Sequence, residues 1–158
     1  MATAFLNASL KPESLSADVR SCFRGAISFI KLPAGTRVFK FTQFPLHGPK
    51  GITPWWFSCR PLSGSDIGLE GLLERAKRLN IPPERYARAR GAVDEGWGND
   101  MSKLLVAQLL ADVGALMGQN ASKPINSKIS EYDNIAYIGG AWQLYIPALT
   151  GLHVATIS

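Results

Sequence analysis

Residues 101–117 (MSKLLVAQLLADVGALM) decide the fold class, because their apolar positions fit two periods at once. Leu105, Leu109, Val113 and Leu116 recur at helical spacing, whereas Gly114 and Gly118 weaken the end of such a helix. We read a helix to about Leu110, followed by a strand from Val113 to Met117. Downstream, residues 119–134 are polar and loop-like, and 135–138, 142–147 and 153–157 read as three closing strands.

Upstream, Val19, Cys22, Phe23, Ala26, Ile27 and Ile30 predict a helix that Ser16 caps. Pro33-Ala34-Gly35 breaks the chain, and Arg37-Val38-Phe39-Lys40-Phe41-Thr42 alternates as a strand does. A Pro- and Gly-rich loop over 45–51 leads to a second strand over 52–59, which Pro54 restricts to an edge or a strand start. Asp66 or Ser65 caps a helix carrying Leu69, Leu72, Leu73, Ala76 and Leu79, which Asn80 ends. Pro82-Pro83 opens a short helix through Tyr86 and Ala89. The expected architecture is α+β: a loose segment over 1–15, then a single globular domain over 16–158 in which an N-terminal helix and central helices surround the strands.

The 158 residues suit one domain with one sizeable core, and 46% hydrophobic against 18% charged residues is a globular composition. A formal charge of +5 raises nucleic acid, anionic lipid or acidic substrates as partners. Arg75, Lys77, Arg78, Arg85, Arg88 and Arg90 form one local group, which reads as a solvated helical face or as an anion-binding surface. Cys22 and Cys59 lie among hydrophobic and aromatic neighbours, as buried free thiols in a reducing cytosol do. The opening lacks a basic start before an apolar run, and no apolar stretch reaches the roughly 18 residues that span a bilayer. We therefore expect a cytoplasmic protein without membrane insertion; if exported, it travels without a cleaved leader.

Several chemistries find no support. His47 and His153 are far apart in sequence with no carboxylate cluster, so no metal site is expected. There is no G-x-S-x-G elbow, and Gly48-Pro49-Lys50-Gly51 is too short, with a proline, to cradle a phosphate. Cys59 has no adjacent base to activate it.

Three strand segments mix polar groups with aromatics. In the first, Arg37 shares a face with Phe39 and Phe41, and Lys40 shares the other with Val38 and Thr42. Either cation suits a diphosphate, or serves as an edge-strand charge or a surface ion-pair partner. In the second, Trp55 and Trp56 point to opposite faces, so that one enters the core and the other stacks on a ligand held by Ser58, or both pack in the core. In the third, Gly139-Gly140-Ala141-Trp142-Gln143-Leu144-Tyr145-Ile146-Pro147, Gln143 and Tyr145 share a face. A buried amide without a partner costs about 1–3 kcal/mol, so Gln143 calls for either a ligand or a backbone group.

These segments resemble the ADP-ribosyltransferases. The Gly-Gly-x-x-Gln-x-Tyr-x-x-Pro stretch is similar to the closing strand of toxin NAD glycohydrolases. The resemblance covers residues 36–60 and 137–149, and it implies a split antiparallel β-core and an NAD-consuming bacterial effector that cleaves the nicotinamide–ribose bond. It implies NAD as substrate, with Gln143 catalytic and Arg37, Lys40, Trp55, Trp56, Ser58 and Tyr145 binding. A target macromolecule and an immunity or chaperone protein are the partners it implies. The chain departs from the family in two places: Phe39 is followed by Lys40 rather than Arg, and the late strand lacks the transferase Glu. Gln143 cannot act as a carboxylate base, which favours hydrolysis over transfer. The competing reading is a non-enzymatic module that binds a protein or single-stranded nucleic acid. An immunity or antitoxin role fits less well, because such proteins are often acidic.

Overall fold

The computed structural model describes residues 4–42, 45–47, 51–62, 66–83, 103–120 and 142–157. Seven strands form one sheet: β1 (Phe23–Leu32), β2 (Arg37–Thr42), β3 (Trp55–Ser58), β4 (Lys103–Leu109), β5 (Val113–Asn120), β6 (Trp142–Tyr145) and β7 (Val154–Thr156). Their order is β1-β5-β6-β3-β2-β4-β7, and every neighbouring pair is antiparallel. Among the described residues there are two α-helices, α1 (Ala17–Arg20) and α2 (Gly68–Arg78), besides a 3₁₀ turn at Pro12–Ser14. The expected antiparallel core is present, as one continuous sheet rather than a split one, and of the expected helices the described residues show α2 and a single turn at α1.

The centre of the sheet depends on β3. Trp55 and Trp56 pair with Tyr145 and Leu144 of β6, whereas Phe57 and Ser58 pair with Phe39 and Val38 of β2. One strand of four residues therefore changes partner midway and joins the two halves.

Two expected helices are strands. Ser16 does cap a helix, its Oγ accepting from the Val19 amide at 3.3 Å, but that helix lasts one turn. Residues 23–32 then extend as β1 with a bulge between Arg24 and Ser28, where four residue steps oppose two on β5. Gly25 provides the positive φ of 75° in this bulge. The bulge restarts the alternation, so the apolar spacing of 23, 27 and 30 imitates a helical period. Residues 103–109 form β4 rather than a helix, because this strand lies between β2 and β7 and is covered on both faces. Leu105, Ala107 and Leu109 enter the main core, and Leu104 and Val106 pack towards α2. A strand covered on both faces reads as a continuous apolar run, without alternation to mark it.

The helix expected over 69–79 is α2. It buries Gly68, Leu72 and Ala76 and points Arg75, Lys77 and Arg78 outward. Leu72 packs on Phe39 and Phe41, forming a second core on the opposite side of the sheet from Trp56 and Leu144. Asn80, at φ 55°, ends it. Asp66 stands one residue ahead of the N-cap Ile67: its Oδ1 accepts from the Gly68 amide at 3.4 Å at the start of the helix, and its Oδ2 accepts from the Leu62 amide at 2.7 Å, closing the preceding turn. The helix expected to open at Pro82-Pro83 is described only as far as those two prolines, and its remainder with Arg85, Arg88 and Arg90, the strand over 135–138 and most of the 119–134 loop lie outside the described residues.

The described part of the N-terminal lead-in is attached to the sheet. Leu6 bridges Val113, the Leu6 carbonyl accepts from the Gly114 amide at 2.7 Å, and Asn7 Nδ2 donates to the Pro147 carbonyl at 2.8 Å. A Cβ at position 114 would overlap the Asn7 carbonyl oxygen and lie 2.8 Å from the Phe29 ring. Gly114→Ala is therefore expected to cost about 1–3 kcal/mol, seen as a lower urea midpoint at unchanged slope.

Candidate functional site

Strand alternation divides the sheet into two faces, and the polar residues of the three sequence segments divide with it. Val38, Lys40 and Thr42 of β2 share the main-core face with Trp56 and Ser58 of β3 and Leu144 of β6. Arg37, Phe39 and Phe41 share the other face with Trp55, Phe57, Gln143 and Tyr145.

On the main-core face, pairing of Val38 with Ser58 and of Phe39 with Phe57 brings Lys40 beside Trp56. The Lys40 ammonium lies 3.8 Å from the centre of the Trp56 ring, a cation–π contact. It donates to Thr53 Oγ1 at 2.5 Å and lies 3.5 Å from the Thr53 carbonyl oxygen. That same carbonyl accepts from Trp56 Nε1 at 3.1 Å. Among the described residues no carboxylate pairs with Lys40; the ion pairs are Lys31 with Asp112 and Arg78 with Glu74. Burial without a counter-charge lowers the Lys40 pKa from 10.5 to about 7. Nearby, Ser58 is 5% exposed, and its hydroxyl has no hydrogen-bond partner among the described residues. Thr42 is equally buried and shares the face.

Trp56 is 1% exposed, so its indole supports Lys40 rather than offering an open stacking surface. Trp55 packs between Phe23 (ring centres 5.6 Å apart) and Tyr145 (4.9 Å) on the other face. Gln143 Nε2 donates to the Cys22 carbonyl at 2.9 Å, tying β6 to the start of β1. Of the two alternatives for this amide, the backbone partner is the one present. Arg37 is exposed on the α2 side. Burial pushes the Cys59 thiol up, and the Arg37 guanidinium partly opposes that shift. The fold therefore brings Lys40, Trp56 and Ser58 together, and separates them from Arg37, Trp55, Gln143 and Tyr145. Gly139 and Gly140 lie outside the described residues.

Thr53 was missed by sequence reasoning. The available signal was a hydroxyl held ahead of Pro54, three residues before Trp56. The two histidines, remote in sequence, both lie near the 150–153 turn: His153 Nδ1 is 3.0 Å from the Thr150 amide nitrogen, and His47 lies against Gly151.

Removing the amide at Gln143 with Gln143→Ala should cost about 1–3 kcal/mol in urea unfolding, because the Cys22 carbonyl loses its donor. Lys40 should leave a separate mark on pH dependence. The unfolded lysine keeps its proton up to its ordinary 10.5 and the folded one only to about 7, so the unfolded state holds more protons between these values. Stability from this group therefore rises with pH across that window, and its cost is fully present below it. Lys40→Met should remove this rise and be more stable than wild type at pH 6, as urea melts from pH 6 to 10 would show.

No family model and no curated protein matches the chain. Among solved structures, it is similar to a chain in the structure of Tse6 in complex with Tsi6. The two are 15% identical with a TM-score of 0.44, over 92% of this chain and 86% of that one.

Proposed function

We propose that this chain is an NAD-cleaving domain that breaks the nicotinamide–ribose bond, with Lys40 gripping the diphosphate. The observation that carries this reading is a partly buried ammonium with no counter-charge among the described residues, held by neutral groups only. A buried cation is costly unless an anion compensates it. A diphosphate provides that anion and accepts a charge-assisted hydrogen bond from the remaining ammonium N–H. The Ser58 hydroxyl, buried on the same face and without a hydrogen-bond partner among the described residues, is suited to hydrogen-bond the ribose or the carboxamide.

In hydrolysis, the C–N bond to nicotinamide breaks with its electron pair leaving on the pyridine nitrogen, and water adds to the cationic ribose carbon and releases a proton. Positioned dipoles and the gripped diphosphate would lower the energy of that cationic state. Gln143 takes no part in this version, because its amide is engaged on the opposite face. A binding module remains the second reading, favoured by the exposed Arg75, Lys77 and Arg78 of α2.

Incubation with NAD should release free nicotinamide, and Lys40→Ala should raise KM by about 10–100-fold, the worth of a hydrogen bond to a charged group. Affinity for NAD should be flat below about pH 7 and fall as pH rises above it, because only the protonated Lys40 binds the diphosphate. If wild type releases no nicotinamide, with or without candidate acceptor proteins, the reading fails. Salt-sensitive binding to single-stranded nucleic acid that is lost on charge reversal of Arg75, Lys77 and Arg78 would favour the second reading instead.

A further inference from the structure

We propose that Thr53 is a positioning residue that aims the Lys40 ammonium at the bound diphosphate, an inference that rests on the reading of this face as an NAD site. Three contacts close a ring: Lys40 Nζ to Thr53 Oγ1, Lys40 Nζ over the Trp56 indole, and Trp56 Nε1 to the Thr53 carbonyl. The ring is anchored at its outer end, because the Ile146 amide donates to the Pro54 carbonyl at 2.8 Å. Pro54 also restricts the Thr53 backbone to extended conformations. The Thr53 hydroxyl is thus held by backbone geometry and not by side-chain freedom alone.

An ammonium has three N–H donors. The Thr53 hydroxyl takes one, the Thr53 carbonyl takes a second at 3.5 Å and the indole covers one side, which leaves the third donor for a ligand. The hydroxyl also accepts from the charged form, so it opposes the desolvation that drives Lys40 towards neutrality. On β3, β4 and the 51–54 segment, the one titratable side chain sharing the Lys40 face among the described residues is Lys103, across from Thr42. It carries a like charge, so neutral Thr53 is the group that favours the protonated state.

Thr53→Val keeps the shape and removes the hydroxyl, whereas Thr53→Ser keeps the hydroxyl. At pH 7, Thr53→Val should raise KM for NAD about tenfold and change kcat by less than about twofold, the pattern of lost uniform binding. The pH at which KM begins to climb should move lower in Thr53→Val and return to the wild-type position in Thr53→Ser. An NMR titration of the Lys40 side chain, without NAD, should show the same downward shift in Thr53→Val alone. Identical Lys40 titrations in wild type and Thr53→Val overturn the proposal, as does a Thr53→Ser variant as impaired as Thr53→Val. If Lys40 titrates as expected but wild type neither binds nor cleaves NAD, the reading of the site falls while the hold of Thr53 on Lys40 stands.

Discussion

The structure depends on the pairing constraint carried by β3. Four residues, Trp55–Ser58, pair with β6 on one side and β2 on the other, so both halves of the sheet take their register from them. Side chains alternate along any strand, and consecutive residues here cannot share a face. The change of partner therefore also decides which aromatic enters which core. Trp56 goes to the main core with Leu144 and Ile146, and Phe57 goes to the α2 side with Phe39. A slip of one residue would exchange both sets, sending Trp56 to the α2 side and Phe57 into the main core.

That register creates an electrostatic conflict at Lys40. The position that faces Trp56 across the ladder holds an ammonium, in surroundings that disfavour charge. A methionine there would fill similar volume without the desolvation cost. The chain instead surrounds the cation with an indole face, a hydroxyl and a carbonyl, which soften the cost without neutralising the charge. Sites that sacrifice stability in this way are where function is to be sought. The contrast with Lys31 is direct, since that lysine is solvated and paired with Asp112.

Gln143 is a buried polar group treated in the opposite way. Its amide donates to the Cys22 carbonyl, at the junction where α1 ends and β1 begins. Phe23 next to that junction packs on Trp55, and Trp55 on Tyr145, so hydrogen bond and aromatic stack fasten the same corner. Gly118 lets Phe23 approach, because a Cβ there would lie 2.7 Å from its ring. The most site-like residue of the sequence thus has a structural partner in the fold.

Much of the fold was legible in the chain itself. The strand over 37–42, the helix over 69–79 and its stop at Asn80 follow from local alternation, amphipathic spacing and an asparagine that tolerates positive φ. Local information failed where a neighbour decides the outcome. Residues 23–32 carry a bulge that disguises their period, and 103–109 are apolar on both faces because both faces are covered. The candidate site divides in the same way. The sequence by itself determined that Lys40 and Arg37 lie on opposite faces and that Trp55 and Trp56 do too, since alternation alone requires it. Only the tertiary structure decided that Lys40 meets Trp56 and Thr53 while Gln143 turns away to Cys22, because strand register and partner choice are set by contacts between residues distant in the chain.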